Sequence, residues 1–303
     1  MSAENVWHKT RRIALRHLLL FGSGGLLCCA CTERMDITSD YITPRLVITG
    51  CITTDTAAHK IQVRRTAAYF GKEQQLTYPD AIVKINNVPL LPAGNGDYLT
   101  EPSFAGISGQ TYTLDVWLDF DEDGADEHYS ATAVMTDMHV LDSITLATVS
   151  PGAARPPWML IVHFQDLPGP NNFGVHLHIH QASGRQIWYS EQLRRYFINN
   201  FGDHAAEGQY IRFPALSYII DENMRWYDDE RIALQPGDTL IAELNALAPD
   251  YFEFIRAAQQ EIGGGNPLFA GPPANVPTNI HGGALGFFGA CTASRQRLII
   301  PQW

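Results

Sequence analysis

The sequence predicts a mainly β protein. An immunoglobulin-like β-sandwich over residues 45–140 is followed by a second β-rich domain over residues 141–303 that carries one helix. Three observations predict this. Residues 111–120 alternate strictly: Tyr112, Leu114, Val116, Leu118 and Phe120 face one way, while Thr111, Thr113, Asp115 and Asp119 face the other. That is the two-residue period of a half-buried strand. Short β-branched and apolar runs recur between turn residues at close intervals, as in a sandwich. Only residues 249–262 carry a convincing helical period. A chain of 303 residues is long enough for two modest domains.

Residues 1–30 read as a cleaved signal. Lys9, Arg11, Arg12 and Arg16 form a basic start, and residues 18–27 a short apolar run broken by Gly22, Ser23, Gly24 and Gly25. Such a run is too short to span a bilayer. Cys28, Cys29 and Cys31 follow, and only Cys31 has a small residue, Ala30, directly before it. The lipoprotein peptidase cleaves after a small residue, so Cys31 is the expected lipidation site. Residues 31–44 then serve as a tether. No later segment is apolar for long enough to be a transmembrane helix, which leaves the lipid as the expected anchor.

From residue 45 onward strands are expected at 45–52, 60–66, 81–86, 111–120 and 128–134. Asn86-Asn87 and Gly94-Asn95-Gly96-Asp97 are the turns between them. Residues 135–150 read as a crossover, and Pro151, Gly152, Pro156 and Pro157 punctuate the boundary. Further strands are expected at 158–164, 173–181, 186–190, 210–213 and 238–247, the last entered by Pro236-Gly237-Asp238. The helix opens at Pro249-Asp250, where proline suits the first turn and the carboxylate suits the dipole. Phe252, Ile255, Ala258 and Ile262 form its apolar stripe, and Gly263-Gly264-Gly265 stops it.

Loss of residues 1–30 removes four of the 21 Lys and Arg and one of the 32 Asp and Glu. That leaves 17 against 31, a net charge of −14. An acidic surface argues against nucleic acid as a partner. Cys51 and Cys291 are the two cysteines beyond the lipidation region. In an exported protein they either pair as a disulfide or stay as buried thiols, and spacing alone does not decide.

Several groups are candidates for chemistry. Asp119, Asp121, Asp123 and Glu127 lie in an acidic loop between two expected strands. Alternating carboxylates converge on a hard cation, so the loop reads either as a structural Ca2+ site or as a solvated hairpin turn. Ser130 stands where an EF-hand needs its last glutamate. His176, His178 and His180 share one face of a strand, as a zinc or copper site or as that strand's polar face. Aromatic residues crowd residues 186–229. Trp188, Tyr189, Trp226 and Tyr227 are candidates for a ligand or partner surface, the alternative being a second core. Nucleophile-elbow, P-loop, zinc-protease and dinucleotide motifs are absent from the sequence, and nothing pairs its carboxylates for acid–base work. No enzymatic activity is therefore expected.

The C-terminal region carries a resemblance. Its specific parts are Gly265-Asn266-Pro267-Leu268-Phe269, Pro273-Ala274-Asn275-Val276-Pro277-Thr278-Asn279-Ile280 and Gly282-Gly283-Ala284-Leu285-Gly286-Phe287-Phe288-Gly289. With Cys31-Thr32-Glu33, Ala81-Ile82-Val83, Gly109-Gln110-Thr111-Tyr112-Thr113-Leu114 and Pro236-Gly237-Asp238, they resemble the DUF4249 family of Bacteroidota lipoproteins over essentially the whole mature chain. The resemblance implies an outer-membrane lipoprotein, held at the cell surface, that assists a TonB-dependent, SusC-like transporter in nutrient uptake. It carries no catalytic residue. Cys291 departs from the family pattern, so a bridge to Cys51, if one forms, is a feature of this chain. The second expectation is a stand-alone binding module for glycan, peptide or metal. The glycine- and asparagine-rich C-terminal stretch is expected to close the second domain.

Overall fold

Alternation sets the first strands. A computed structural model describes residues 44–66, 78, 80–148, 158–188, 199–202, 208–217, 235–262 and 276–302. In β1 (Leu46–Thr53), Leu46, Ile48 and Ile52 are buried on one side while Val47, Thr49 and Cys51 face the other. Ile61 and Val63 of β2 (Lys60–Arg65) extend the same inner face. β5 (Leu91–Gly94) and β6 (Asp97–Leu99) form a hairpin whose turn residues Gly94, Asn95 and Gly96 all take positive φ. Asn86 and Asn87 take positive φ together in the tight turn from β3 (Ile82–Ile85) to β4 (Val88–Pro89), as a two-residue hairpin turn requires.

β3 and β4 join β7 (Thr111–Leu118) and β8 (Glu127–Val134) in a four-stranded antiparallel sheet of order β4-β3-β7-β8. Its inner residues Val83, Ile85, Leu114, Val116 and Ala131 share a core with Leu46, Ile48, Ile61 and Tyr98 of the other layer. This is the sandwich expected from the alternation.

The second half adds β9 (Leu141–Thr148), β10 (Trp158–Gln165) and β14 (Tyr210–Ser217), a three-stranded sheet of order β14-β10-β9. Residues 135–150 therefore hold a strand rather than only a crossover. Leu141 and Ile144 are buried there, but exposed Asp142, Ser143 and Thr145 break the alternation. β11 (Asn172–His180), β12 (Gln186–Trp188), β13 (Asn199–Gly202) and β15 (Thr239–Leu247) belong to the large sheet. Pro236-Gly237 forms the expected turn into β15, with Gly237 at φ 92° and the Asp238 amide donating to the Gln235 carbonyl.

The last strand, β16 (Leu285–Ile299), is missing from the sequence reading and is the longest described. Its first half is mostly glycine, alanine and phenylalanine, with Leu285 and Cys291, and carries no period-two signal. It occupies the middle of a nine-stranded sheet, β12-β11-β15-β16-β1-β2-β6-β5, with β13 also on β11. β16 runs parallel to β1 and antiparallel to β15. Among the described residues, β1–β16 is the one parallel strand pair.

The inner face of the large sheet thus carries two smaller sheets side by side. One core lies under β4-β3-β7-β8 and the other under β14-β10-β9. The C-terminal stretch closes the first of these, not the second: Ile280, Ala284, Phe288 and Ala290 pack with the β1 and β7 side chains. Asn279 fixes it by donating to the carbonyls of Phe288 and Thr132 and accepting from the Phe288 amide.

The helix α1 (Pro249–Ile262) covers the opposite face of the large sheet. Its buried stripe is Tyr251, Phe254, Ile255 and Ala258, with Phe252 only half-buried. This stripe shares Ile255 and Ala258 with the expected one and adds Tyr251 and Phe254.

Candidate functional site

The outer face of the large sheet gathers the polar and reactive side chains. On β15, Leu240, Ala242 and Leu244 turn into the second core, so Ile241, Glu243 and Asn245 point outward. Register places Glu243 between His176 on β11 and Arg295 on β16. His176, His178 and His180 share this face, because Val175, Leu177 and Ile179 point into the core.

Arg295 is held from two sides. Its Nε donates to Glu243 at 2.7 Å, and its terminal nitrogens grip both oxygens of Asp55 at 2.5 and 2.6 Å. Asn245 donates to the second Glu243 oxygen at 2.9 Å and to the Thr292 carbonyl at 3.1 Å. The guanidinium holds the Asp55 carboxyl below its usual range, and the two carboxylates hold Arg295 firmly protonated. Burial lowers both His176 and His178, the latter to about 4, although Glu243 pulls the other way. The imidazoles are therefore neutral at pH 7. The network ties β15, β16 and the loop after β1 into one block. The sequence reading missed it, although Glu243 and Asn245, two residues apart in an otherwise apolar strand, are a legible signal.

Beyond this polar belt lie two thiols. Cys51 of β1 and Cys291 of β16 place their Sγ atoms 3.5 Å apart. Leu247, Tyr251, Phe254, Ile255 and Phe287 form the apolar cover around them. The Tyr251 ring lies so close to Gly289 that a Cβ there meets it at 2.7 Å.

The acidic loop between β7 and β8 has its own geometry. Asp119, Asp121 and Glu127 each offer a carboxylate oxygen within 4.8 Å of the others. Among the described residues they are the one set of three with metal-ligand spacing. Asp123 stands outside it, its Oδ1 accepting from the Ala125 amide. Asp119 accepts from the amides of Asp123 and Gly124, and Glu127 from that of Phe120. Loss of hydration and repulsion from Asp123 and Glu127 raise the Asp121 carboxyl. The donor set suits a hard cation. The amides already hold the loop's shape through the same carboxylates.

The aromatic segment divides. Phe201 and Phe213 stack at 3.6 Å and pack on the second core, while Tyr210 is exposed. Trp188 occupies the position in β12 opposite His178. Tyr189, Trp226, Tyr227 and the lipidation candidate Cys31 lie outside the described residues. No helix among the described residues is long and apolar enough to cross a membrane.

Residues 32–297 match a family model described as a domain of unknown function, DUF4249. No curated protein matches the chain.

Proposed function

The chain belongs to the DUF4249 family, and on that premise we propose a lipid-anchored outer-membrane accessory protein that partners a TonB-dependent, SusC-like transporter in nutrient uptake. The observation that carries the reading is positional. The family match begins at residue 32, directly after Cys31, the cysteine that follows Ala30 at the end of a short apolar run. Lipidation at Cys31 leaves residues 32–43 between the anchor and the described fold. Twelve residues reach at most about 40 Å when fully extended. The anchor thus keeps the β-rich body close to the membrane surface, where a partner barrel lies. The acidic Glu33 and Asp36 behind the cysteine suit exposure on the cell surface. The protein acts by contact and not by catalysis in this reading.

The test uses the chain in its native membrane. Detergent extracts containing the tagged protein are expected to bring down an outer-membrane barrel. Cys31→Ala is expected to abolish lipidation and release the protein from membranes. A variant that is still lipidated removes the anchor assignment. Capture of no barrel at native abundance removes the transporter reading, in favour of a stand-alone surface module for glycan, peptide or metal.

A further inference from the structure

β1 and β16 are neighbours in space although their cysteines stand 240 positions apart in sequence. The parallel register sets Cys51 opposite Gly289 and Thr53 opposite Cys291, so the two cysteines are offset by two residues on one face. Their sulfurs touch at 3.5 Å, a hydrogen-bonded thiol contact and not a bond. A disulfide requires about 2.05 Å, so the sulfurs have to approach by about 1.5 Å. Strand neighbours offset in this way lie about 7–8 Å apart at Cα, beyond what a disulfide spans without backbone movement. Closure thus calls for a small slide of β1 along β16. Both strands have a glycine at the crossing, Gly50 and Gly289.

The pair is asymmetric. Cys51 is half-buried and Cys291 is 3 % exposed, so Cys51 is the less covered of the two residues. The neighbouring Cys291 thiol and Tyr251 hydroxyl lower the Cys51 pKa against the effect of burial. In the reduced pair either thiol can be the donor, and Cys51 Sγ also lies 3.5 Å from the Ile52 carbonyl. The contact with Cys51 and burial raise the pKa of Cys291. Among the described residues no histidine or carboxylate joins the two sulfurs in a metal-ligand set.

We infer that Cys51 and Cys291 are an oxidisable pair, with Cys51 the attacking sulfur and Cys291 the resolving one, that closes to a disulfide joining β1 to β16. The oxidant is a disulfide of a thiol-exchange partner. Cys51 thiolate attacks one sulfur of that disulfide, a new S–S bond forms, and the partner's other sulfur leaves as thiolate. Cys291 then gives up its proton and attacks Cys51 Sγ, forming the internal bond and expelling the second thiolate. The two cysteines lose two electrons and two protons. The oxidant gains both and leaves as two thiols.

The experiment incubates the purified, reduced full chain with oxidised glutathione under native conditions, blocks remaining thiols, and maps cysteine peptides by mass spectrometry. The expected result is joint loss of the Cys51 and Cys291 thiols, a mass lower by two hydrogens, and a peptide joining these two residues. Cys291→Ser is expected to retain one glutathione on Cys51. Cys51→Ser is expected to leave Cys291 unmodified in the folded chain. Thiols that both stay blockable overturn the proposal. So does a stable glutathione adduct on the unaltered protein. Glutathione held by Cys291 in Cys51→Ser as readily as by Cys51 overturns the order of attack. The mapping of the unaltered chain decides the bond itself, whether or not either variant folds.

Discussion

His178 turns its imidazole to the covered outer face of β11 and is only 8 % exposed. Loss of hydration takes it from 6.5 to about 4, against the pull of Glu243. An unfolded histidine binds its proton below about pH 6.5. Between the two values the unfolded chain therefore holds more protons than the folded one. Stability is complete above pH 6.5 and is lost as pH falls towards 4. From pH 7 to pH 5 the loss from this residue is on the order of 1–2 kcal/mol. Asp55, held low by Arg295, acts further down the scale and does not blur this window. Urea midpoints at the two pH values are expected to fall less in His178→Leu than in the unaltered protein. Equal slopes in both would assign the effect elsewhere. The sequence placed the three histidines on one strand face correctly. What it could not show was the carboxylate on the next strand, because Glu243 lies 65 positions beyond His178 and only the antiparallel register brings the strands together.

At the level of elements, legibility followed the strength of the local period. β7 and α1 were readable because alternation and helical spacing persist over eight or more residues. β16 was not, because close approach to its neighbours selects small residues over alternating ones. Gly286 shows the constraint. It takes φ 102°, and a Cβ there lies 2.0 Å from the Ile48 carbonyl on β1. Gly283 has a similar φ, 89°, with open space around it. Gly283→Ala is expected to cost about 1–2 kcal/mol from backbone strain alone. Gly286→Ala adds a backbone clash and is expected to cost about 3 kcal/mol or more. Denaturant titration of the two variants separates the contributions, and equal costs would show that β16 does not approach β1 so closely. The acidic loop lies between these cases. Asp119, Asp121 and Glu127 converge as the sequence pattern suggested, while Asp123 turns to its own backbone, a choice that spacing does not reveal.

In the whole molecule the chain closes on itself. From Pro44 onward it is one compact unit, and β16 is the element both halves need. Its residues Phe288 and Ala290 fill the first core, Leu298 packs on the second, and its backbone links β1 to β15. A Cys51–Cys291 bond would close a loop of 240 positions, and by chain entropy would stabilise the fold by about 5 kcal/mol. The same closure bears on the boundary near residue 140 that the sequence suggests. A fragment of residues 44–140 retains β1 to β8 but loses the parallel partner of β1 and the side chains of Ile280, Ala284, Phe288 and Ala290. It leaves apolar surface and one full edge of β1 open, and conformational entropy is then not offset. This fragment is expected not to fold alone, giving a collapsed amide spectrum and no cooperative denaturant transition. The full chain is expected to unfold in one step, with coincident curves from tryptophan fluorescence and far-ultraviolet circular dichroism. A dispersed spectrum from the 44–140 fragment would make the first sandwich an independent domain, with β16 an accessory to it.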